Sequence, residues 1–187
     1  VFPTFYSKGM AASVRAVALA ALAEHGKIDA GDIHRYAPHT PEMDLFGKAH
    51  FLQAAVKTDD KDAMIGMMVD TILGHANQGG GKFLFNEAWD DSYKYLLATP
   101  LRSNCAVLSG LLAVPPSVAK RIGDIPFKMV RSITQNRGNR DHWENTQENV
   151  FCMNALMAYR RRYESEDPDM TLDVSFDKAS MGTARFK

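Results

Sequence analysis

The chain has 187 residues, enough to bury one sizeable core, and its hydrophobic fraction of 45% excludes a disordered polypeptide. Its 22 Lys and Arg balance 22 Asp and Glu, so no global field gathers nucleic acid or an anionic membrane. No apolar run approaches the roughly 18 residues of a transmembrane helix, because residues such as Arg15 and Gly110 interrupt them.

The opening Val1-Phe2-Pro3-Thr4 has neither the charged nor the apolar region of a signal peptide, and the chain is expected to be a segment of a longer protein. Helical spacing then predicts a helix from Ser7 to Glu24, ending at Gly26, with Met10, Val14, Val17, Ala21 and Leu22 inward. A short helix covers Ala30 to Tyr36, and Pro38 and Pro41 punctuate before another starts near Glu42 with Leu45, Phe46, Phe51 and Leu52 inward. Asp59 or Asp60 starts the next, whose apolar surface is Met64, Met67, Met68, Ile72 and Leu73 and whose stop is Gly79-Gly80-Gly81.

Lys82 to Asn86 reads as briefly extended, followed by a helical turn or two from Asp90 through Leu97. Pro100 suits the start of a helix to about Ala113, and Pro115-Pro116 the start of one toward Gln135 that Pro126 kinks or interrupts. Asn145 and Glu148 have the spacing of a capping box for the last helix. Along it, Val150, Met153 and Met157 form one apolar row, Cys152, Leu156 and Tyr159 form another, and Arg160, Arg161 and Arg162 complement its C-terminal dipole. Apolar residues on two faces predict a central, mostly buried helix. About eight helices joined by short connections result, an all-helical plan of antiparallel neighbours.

After Pro168 the period falls to two, with Met170, Leu172, Val174 and Phe176 alternating with polar residues. A strand, a turn from Asp177 to Ser180 and a second strand from Thr183 are expected, with strand confined chiefly to 169–187. Residues 1–166 thus read as a helical unit and 167–187 as β strands that either pack on the helices or open an adjoining β domain.

Few residues carry a chemical signal. Asp59-Asp60-Lys61-Asp62 and Asp90-Asp91 lack the Asp-Asp-x-x-Asp pattern that places carboxylates around a metal, and both precede helix starts, where acids cap. His34 and His39 are five apart with Pro38 between, the wrong spacing for one helical face, and read as surface histidines. Gly79-Gly80-Gly81-Lys82 follows a helix, whereas a phosphate loop follows a strand. Trp89, Tyr93, Tyr95, Trp143, Phe151 and Tyr159 would line a cavity only if the helices form a ring, and core packing is the preferred reading.

No nucleophile elbow occurs, and the apolar neighbours of Cys105 oppose thiolate formation. Cys105 and Cys152 are expected to be buried free thiols, with a disulfide as the alternative; no His or Cys has metal-ligand spacing. Arg102, near a helix N-terminus where a cation is unfavourable, calls for a carboxylate partner, with Glu148 the candidate, or for a contact surface. Arg102, Asn145, Gln147 and Glu148 are therefore structural or interface candidates, and no catalytic, cofactor-binding or metal residue is assigned.

The run Trp143-Glu144-Asn145-Thr146-Gln147-Glu148-Asn149 followed by an apolar helix resembles the last helix of the thioester-domain region in bacterial alpha-2-macroglobulin-like proteins. Three further segments resemble that family in the order it would have them: Arg15 to Gly26, Met43 to Ala49, and Thr99 to Leu108. The resemblance implies a terpenoid-cyclase-like α/α toroid, here only partial, leading into the first strands of a β domain. It also implies a secreted or periplasmic, often lipid-anchored, parent that traps endopeptidases after its bait region is cut, with endopeptidases and the other domains of the chain as partners. No nucleic acid, membrane contact by this segment or cofactor is expected. Thioester-bearing members carry Cys-x-Glu-Gln, whereas Cys105 precedes Ala106-Val107-Leu108 and Cys152 precedes Met153-Asn154-Ala155, so no capturing residue is inherited. An open ring would expose apolar surface, from which self-association is expected. The runner-up readings are an α/α-toroid enzyme of the terpenoid cyclase or polysaccharide-degrading type, and a helical protein-interaction module.

Overall fold

Local capping sets most helix starts. In the computed structural model, which describes residues 3–58, 62–89, 93, 96–165, 169–177 and 179–186, α1 (Lys8–Glu24) begins where the Ser7 side chain accepts from the Met10 N–H. Reciprocal Asp29 and Asp32 bonds box the start of α2 (Ala30–Tyr36), which runs into a 3-10 turn over Ala37–Glu42. Asp44 caps α3 (Leu45–Lys57), and Thr99 caps α5 (Pro100–Ala113) with Pro100 in the first turn, where its missing N–H costs nothing. Between these lie α4 (Asp62–Leu73) and the hairpin of β1 (Ala76–Gly79) with β2 (Lys82–Phe85). After α5 come α6 (Pro116–Ala119), α7 (Ile125–Asn136) and α8 (Thr146–Tyr163), then the antiparallel pair β3 (Met170–Phe176) and β4 (Ala179–Phe186).

Four of these helices form a row in which all run the same way. Ser13 of α1 lies against Gly47 of α3, and further along both helices Glu24 pairs with Lys57 at 2.9 Å. Phe46 of α3 meets Arg102 of α5, and further along Leu52 and Ala49 meet Gly110. Between α5 and α8 the successive links are Arg102 to Gln147, Cys105 to Cys152, and Arg162 to the carbonyls of Leu112 and Val114. The order α1–α3–α5–α8 therefore brings the caps Ser7, Asp44, Thr99 and Asn145 to one end of the row. The core lies along its middle, through Phe51, Leu52, Val107, Leu108 and Leu111, with Ile65, Met68, Val69 and Ile72 of α4 added from the side.

The first hairpin is held by side chains that imitate a strand. Asn104 of α5 accepts from the Phe85 N–H at 2.7 Å and donates to the Phe85 carbonyl at 2.9 Å, while Ser132 of α7 accepts from the Phe83 N–H at 2.8 Å. Both backbone groups of a buried residue are thus satisfied without a third strand. Phe83 and Phe85 are buried between those helices.

Several expectations need correction. The buried face of α1 is Met10, Ala12, Ser13, Ala16, Leu19 and Ala23, so Met10 is inward as expected, whereas Val14 and Val17 are half-buried and Ala21 and Leu22 exposed; the small Ala12, Ser13 and Ala16 let this side approach α3 closely. The glycines at 79–81 do not stop α4, which ends at Leu73; they form the hairpin turn, with Gly80 and Gly81 at φ +57° and +76°. The helix expected from Pro116 toward Gln135 is interrupted, one of the two outcomes expected of Pro126: it is two helices, with Pro126 in the first turn of the second. Strand occurs at 76–85 as well as near the C-terminus. Both strands of the terminal hairpin are exposed along the described side chains, so it does not pack on the helices. The turn or two expected from Asp90 to Leu97 falls largely outside the described residues.

The largest correction concerns α8. Only Glu148, Cys152 and Ala155 are buried, while Val150, Met153 and Met157 are 51%, 50% and 48% exposed. Among the described residues the helix ends the row, so one of its two apolar faces packs on α5 and the other is half exposed. The expectation of free thiols fails as well: Cys105 and Cys152 are joined in a disulfide between α5 and α8.

Candidate functional site

Charged side chains gather where the capped ends of the row meet. The Asp44 carboxylate accepts from the Gly47 N–H at 2.6 Å, and its own N–H donates to Ser13 Oγ of α1 at 3.0 Å. The next free N–H of α3, at Leu45, donates at 2.6 Å to Glu87, which follows β2. Two carboxylates thus serve one helix N-terminus, where the dipole favours them. Lys48 lies one turn into α3, buried, with its ammonium on the Met43 carbonyl.

Arg102 approaches from α5. Its guanidinium stacks 4.2 Å over the Phe46 ring and donates to the Leu96 carbonyl at 2.8 Å and to Gln147 Oε1 at 2.9 Å. The other flank of Phe46 is taken by His50 at 4.3 Å and Phe151 at 5.0 Å, and the His50 Nδ1 pairs with the Phe46 carbonyl, which fixes the proton on that nitrogen. Arg102 does find compensation at the helix start, but its bonded partner is Gln147, not the expected Glu148. Asp44 and Glu87 favour its charge at longer range.

Burial dominates the electrostatics. It pushes the Glu87 carboxyl up to about 7, with the nearby Asp44 charge adding to the rise and the Leu45 N–H and Lys48 opposing it. Burial lowers the pKa of Lys48 and Arg102 against the pull of Glu87 and Asp44. It also lowers His50, so that the imidazole is held neutral. Glu87 Oε1, Trp89 Nε1 and Arg102 Nε are buried and lack a well-formed hydrogen bond among the described residues, although Trp89 lies near enough to Glu87 to favour its carboxylate.

The assembly joins α1, α3, α5, α8 and the segment after β2. Glu87 has the pKa of a general acid or base, but its bonded oxygen is committed to a helix N-terminus, and the groups that act on it are the Leu45 N–H, Asp44, Lys48 and Trp89. Among the described residues, no group of three or more His, Cys, Asp or Glu side chains is placed to hold a metal ion.

The remaining candidates lie elsewhere. Asn145 caps α8 through a 3.0 Å bond from the Glu148 N–H, but Glu148 returns to the Glu144 N–H at 3.1 Å, one residue before the position a capping box predicts. Asn149 completes that turn by accepting from the Trp143 N–H. His34 and His39 are exposed, and Asp62 lies in the first turn of α4; Asp59, Asp60, Lys61, Asp90, Asp91 and Tyr95 fall outside the described residues. The aromatics do not line one cavity: Trp143 is buried with its indole N–H on the Ile133 carbonyl, Trp89 stacks on Tyr93, Phe151 meets Phe46, and Tyr159 meets Tyr163. A 290 Å³ pocket beside Trp143 is lined by Leu84, Pro100 and Leu101 together with polar groups that have partners, Arg140 on Glu144 and Asn136 on the Ser132 carbonyl.

Asp44, Lys48, His50 and Glu87 were not anticipated as a cluster. Lys48 and His50 are the local signal, two ionisable side chains among the apolar Leu45, Phe46, Phe51 and Leu52, whereas nothing near Glu87 in sequence points to its distant helix. Comparison with known proteins finds no matching family model, no matching curated protein and no matching solved structure.

Proposed function

We propose that the chain is a non-catalytic segment of a bacterial alpha-2-macroglobulin-like endopeptidase inhibitor, contributing helical hairpins of its α/α toroid and the first strands of the β domain that follows. One observation carries the reading: the four segments that resemble the family are the successive members α1, α3, α5 and α8 of one parallel row. Residues of these segments make two of the links, Gly47 on Ser13 and Arg102 on Gln147, and Asn145 and Asn149 shape the turn into α8. In this reading the row is the inner wall of the toroid, and α2, α4 and α7 belong to the outer one.

The Cys105–Cys152 bridge supports a periplasmic or secreted parent, lipid-anchored in the manner of the family, because such bonds persist in oxidising compartments. Endopeptidases and neighbouring domains of the parent are the proposed partners, and no cofactor is assigned. The test is made on the parent: a chain rich in β-sandwich segments should suppress endopeptidase attack on large protein substrates. Incubation of the present chain with methylamine should leave its intact mass unchanged. A short parent without β domains, or an amine adduct, overturns the proposal.

Asp44 and Glu87 favour a second reading, a toroid enzyme, since both are acids at one helix end. Both are spent on backbone N–H groups, which weighs against it. Turnover of an isoprenoid diphosphate or a polysaccharide that is lost in Glu87→Gln would establish it.

A further inference from the structure

One buried charge in the pocket beside Trp143 has no counterpart. The pocket, 290 Å³ in volume, opens between α5, α7 and α8, and its charged lining is Arg140, Glu144 and Glu148. Arg140 and Glu144 are both exposed and pair with each other at 2.7 Å. Glu148, only 6% exposed, is left as the surplus negative charge of the pocket.

The Glu148 carboxylate is fixed in place but only half satisfied. Its Oε2 accepts from the Glu144 N–H at 3.1 Å, which ties it to the turn before α8. Its Oε1 accepts no hydrogen bond among the described residues and is not sealed in the interior, so it opens on the cavity that Glu148 lines. A carboxylate this far removed from bulk water calls for a donor at that oxygen.

The neighbouring walls say which donor fits. Asn136, at the end of α7, gives its Nδ2 to the Ser132 carbonyl and keeps Oδ1 as an acceptor. The amide of Asn86, after β2, makes no side-chain hydrogen bond among the described residues. Acceptors therefore stand on separate walls, and Leu84, Pro100 and Leu101 supply apolar surface between them. A guanidinium answers both: its five donors spread across one plane, and it is weakly enough hydrated to lie on apolar groups. An ammonium gathers its donors at one point and holds its water more strongly. The same chain already houses a guanidinium in this manner, since that of Arg102 rests on the Phe46 ring and donates to an amide oxygen of Gln147 and a backbone carbonyl.

We propose that this pocket binds a guanidinium group, carried by an arginine side chain or a free guanidino compound, with Glu148 as its counter-charge and Asn86 and Asn136 as further acceptors. The volume lies near the lower end of ligand pockets, about 300 Å³, and suits one side chain. Arg140 and Glu144 neutralise each other at the rim, which leaves the choice of ligand to Glu148. The proposal rests on the pocket alone and not on the inhibitor reading.

An NMR titration of the chain with N-acetyl-arginine methylamide tests it, followed at the Trp143 indole N–H and the Asn86 and Asn136 side-chain amides. Saturable shifts are expected, with a Kd of about 0.1–1 mM. The capped citrulline, which has the shape without the charge, and the capped lysine should each bind about tenfold more weakly. Ethylguanidinium binding as tightly as the capped arginine would identify a free guanidino compound as the ligand, and weaker binding an arginine of a peptide. Glu148→Gln keeps an oxygen for the Glu144 N–H and should weaken binding about tenfold with an unchanged circular dichroism melt. Arg140→Gln changes an exposed side chain, frees Glu144 and should tighten binding severalfold, so the test stays readable should Glu148→Gln fail to fold. The proposal is overturned by the absence of saturable shifts up to about 10 mM, by equal binding of the capped lysine or citrulline, by a folded Glu148→Gln that binds like wild type, or by an Arg140→Gln that binds no tighter.

Discussion

Glu87 shows how one buried carboxyl sets a pH dependence. Its pKa stands at about 7 in the fold against 4.5 for an exposed glutamate, so the folded state binds the proton more tightly than the unfolded state. The stabilisation from protonation is fully present below pH 4.5 and is lost as pH rises through 7. His50 acts in the opposite sense: its lowered pKa costs stability as pH falls below the ordinary histidine value of 6.5. The difference between wild type and Glu87→Gln isolates the carboxyl. Relative to the glutamine variant, wild type should lose thermal stability between pH 5 and pH 8 in parallel melts. A constant difference across that range would mean that Glu87 titrates normally.

Among the elements, the α1–α3 contact depends on the absence of a side chain. A methyl on Gly47 would meet the backbone and side chain of Ser13 within 2.8 Å, so Gly47→Ala should destabilise by about 1–3 kcal/mol, measured by urea unfolding. A neutral result would show that α1 slides outward at little cost. Legibility in the sequence divides at this point. The limits of α2 and α5 follow from neighbours a few residues away, Asp29 with Asp32 and Thr99 with Pro100, and they match the sequence expectation. Which face of α1 turns inward depends on the contour of α3, and an alanine-rich helix does not record that choice. The spacing of α8 shows its two apolar rows, but only the tertiary arrangement says which is covered. The Cys105–Cys152 pairing and the Glu87 contact join residues 47 and 42 apart, and no local pattern encodes either.

For the molecule as a whole, the helical body and the terminal hairpin are energetically unequal. Met170, Leu172, Val174 and Phe176 are all at least 51% exposed, so the hairpin contributes little to the helical core. Ending the chain after Ser165 should therefore leave the thermal midpoint within a few degrees of the full chain, near the scale of 1 kcal/mol. A large drop would show that the strands cover helical surface in solution.

Pulled from its C-terminus, the chain has a stop built into it. Tension first peels the exposed hairpin, then the last turns of α8 as Arg162 leaves the carbonyls of Leu112 and Val114, and then reaches Cys152. There the load crosses the covalent bridge into α5, whose residues are buried for most of its length, and by-passes the chain between two cysteines 47 positions apart. At about 3.4 Å per extended residue, that detour hides about 160 Å of chain. In single-molecule stretching, the oxidised chain should reach full extension about 160 Å short of the reduced one. A domain placed beyond this segment could thus draw on α8 without unravelling the loop that holds α7 and the pocket beside Trp143.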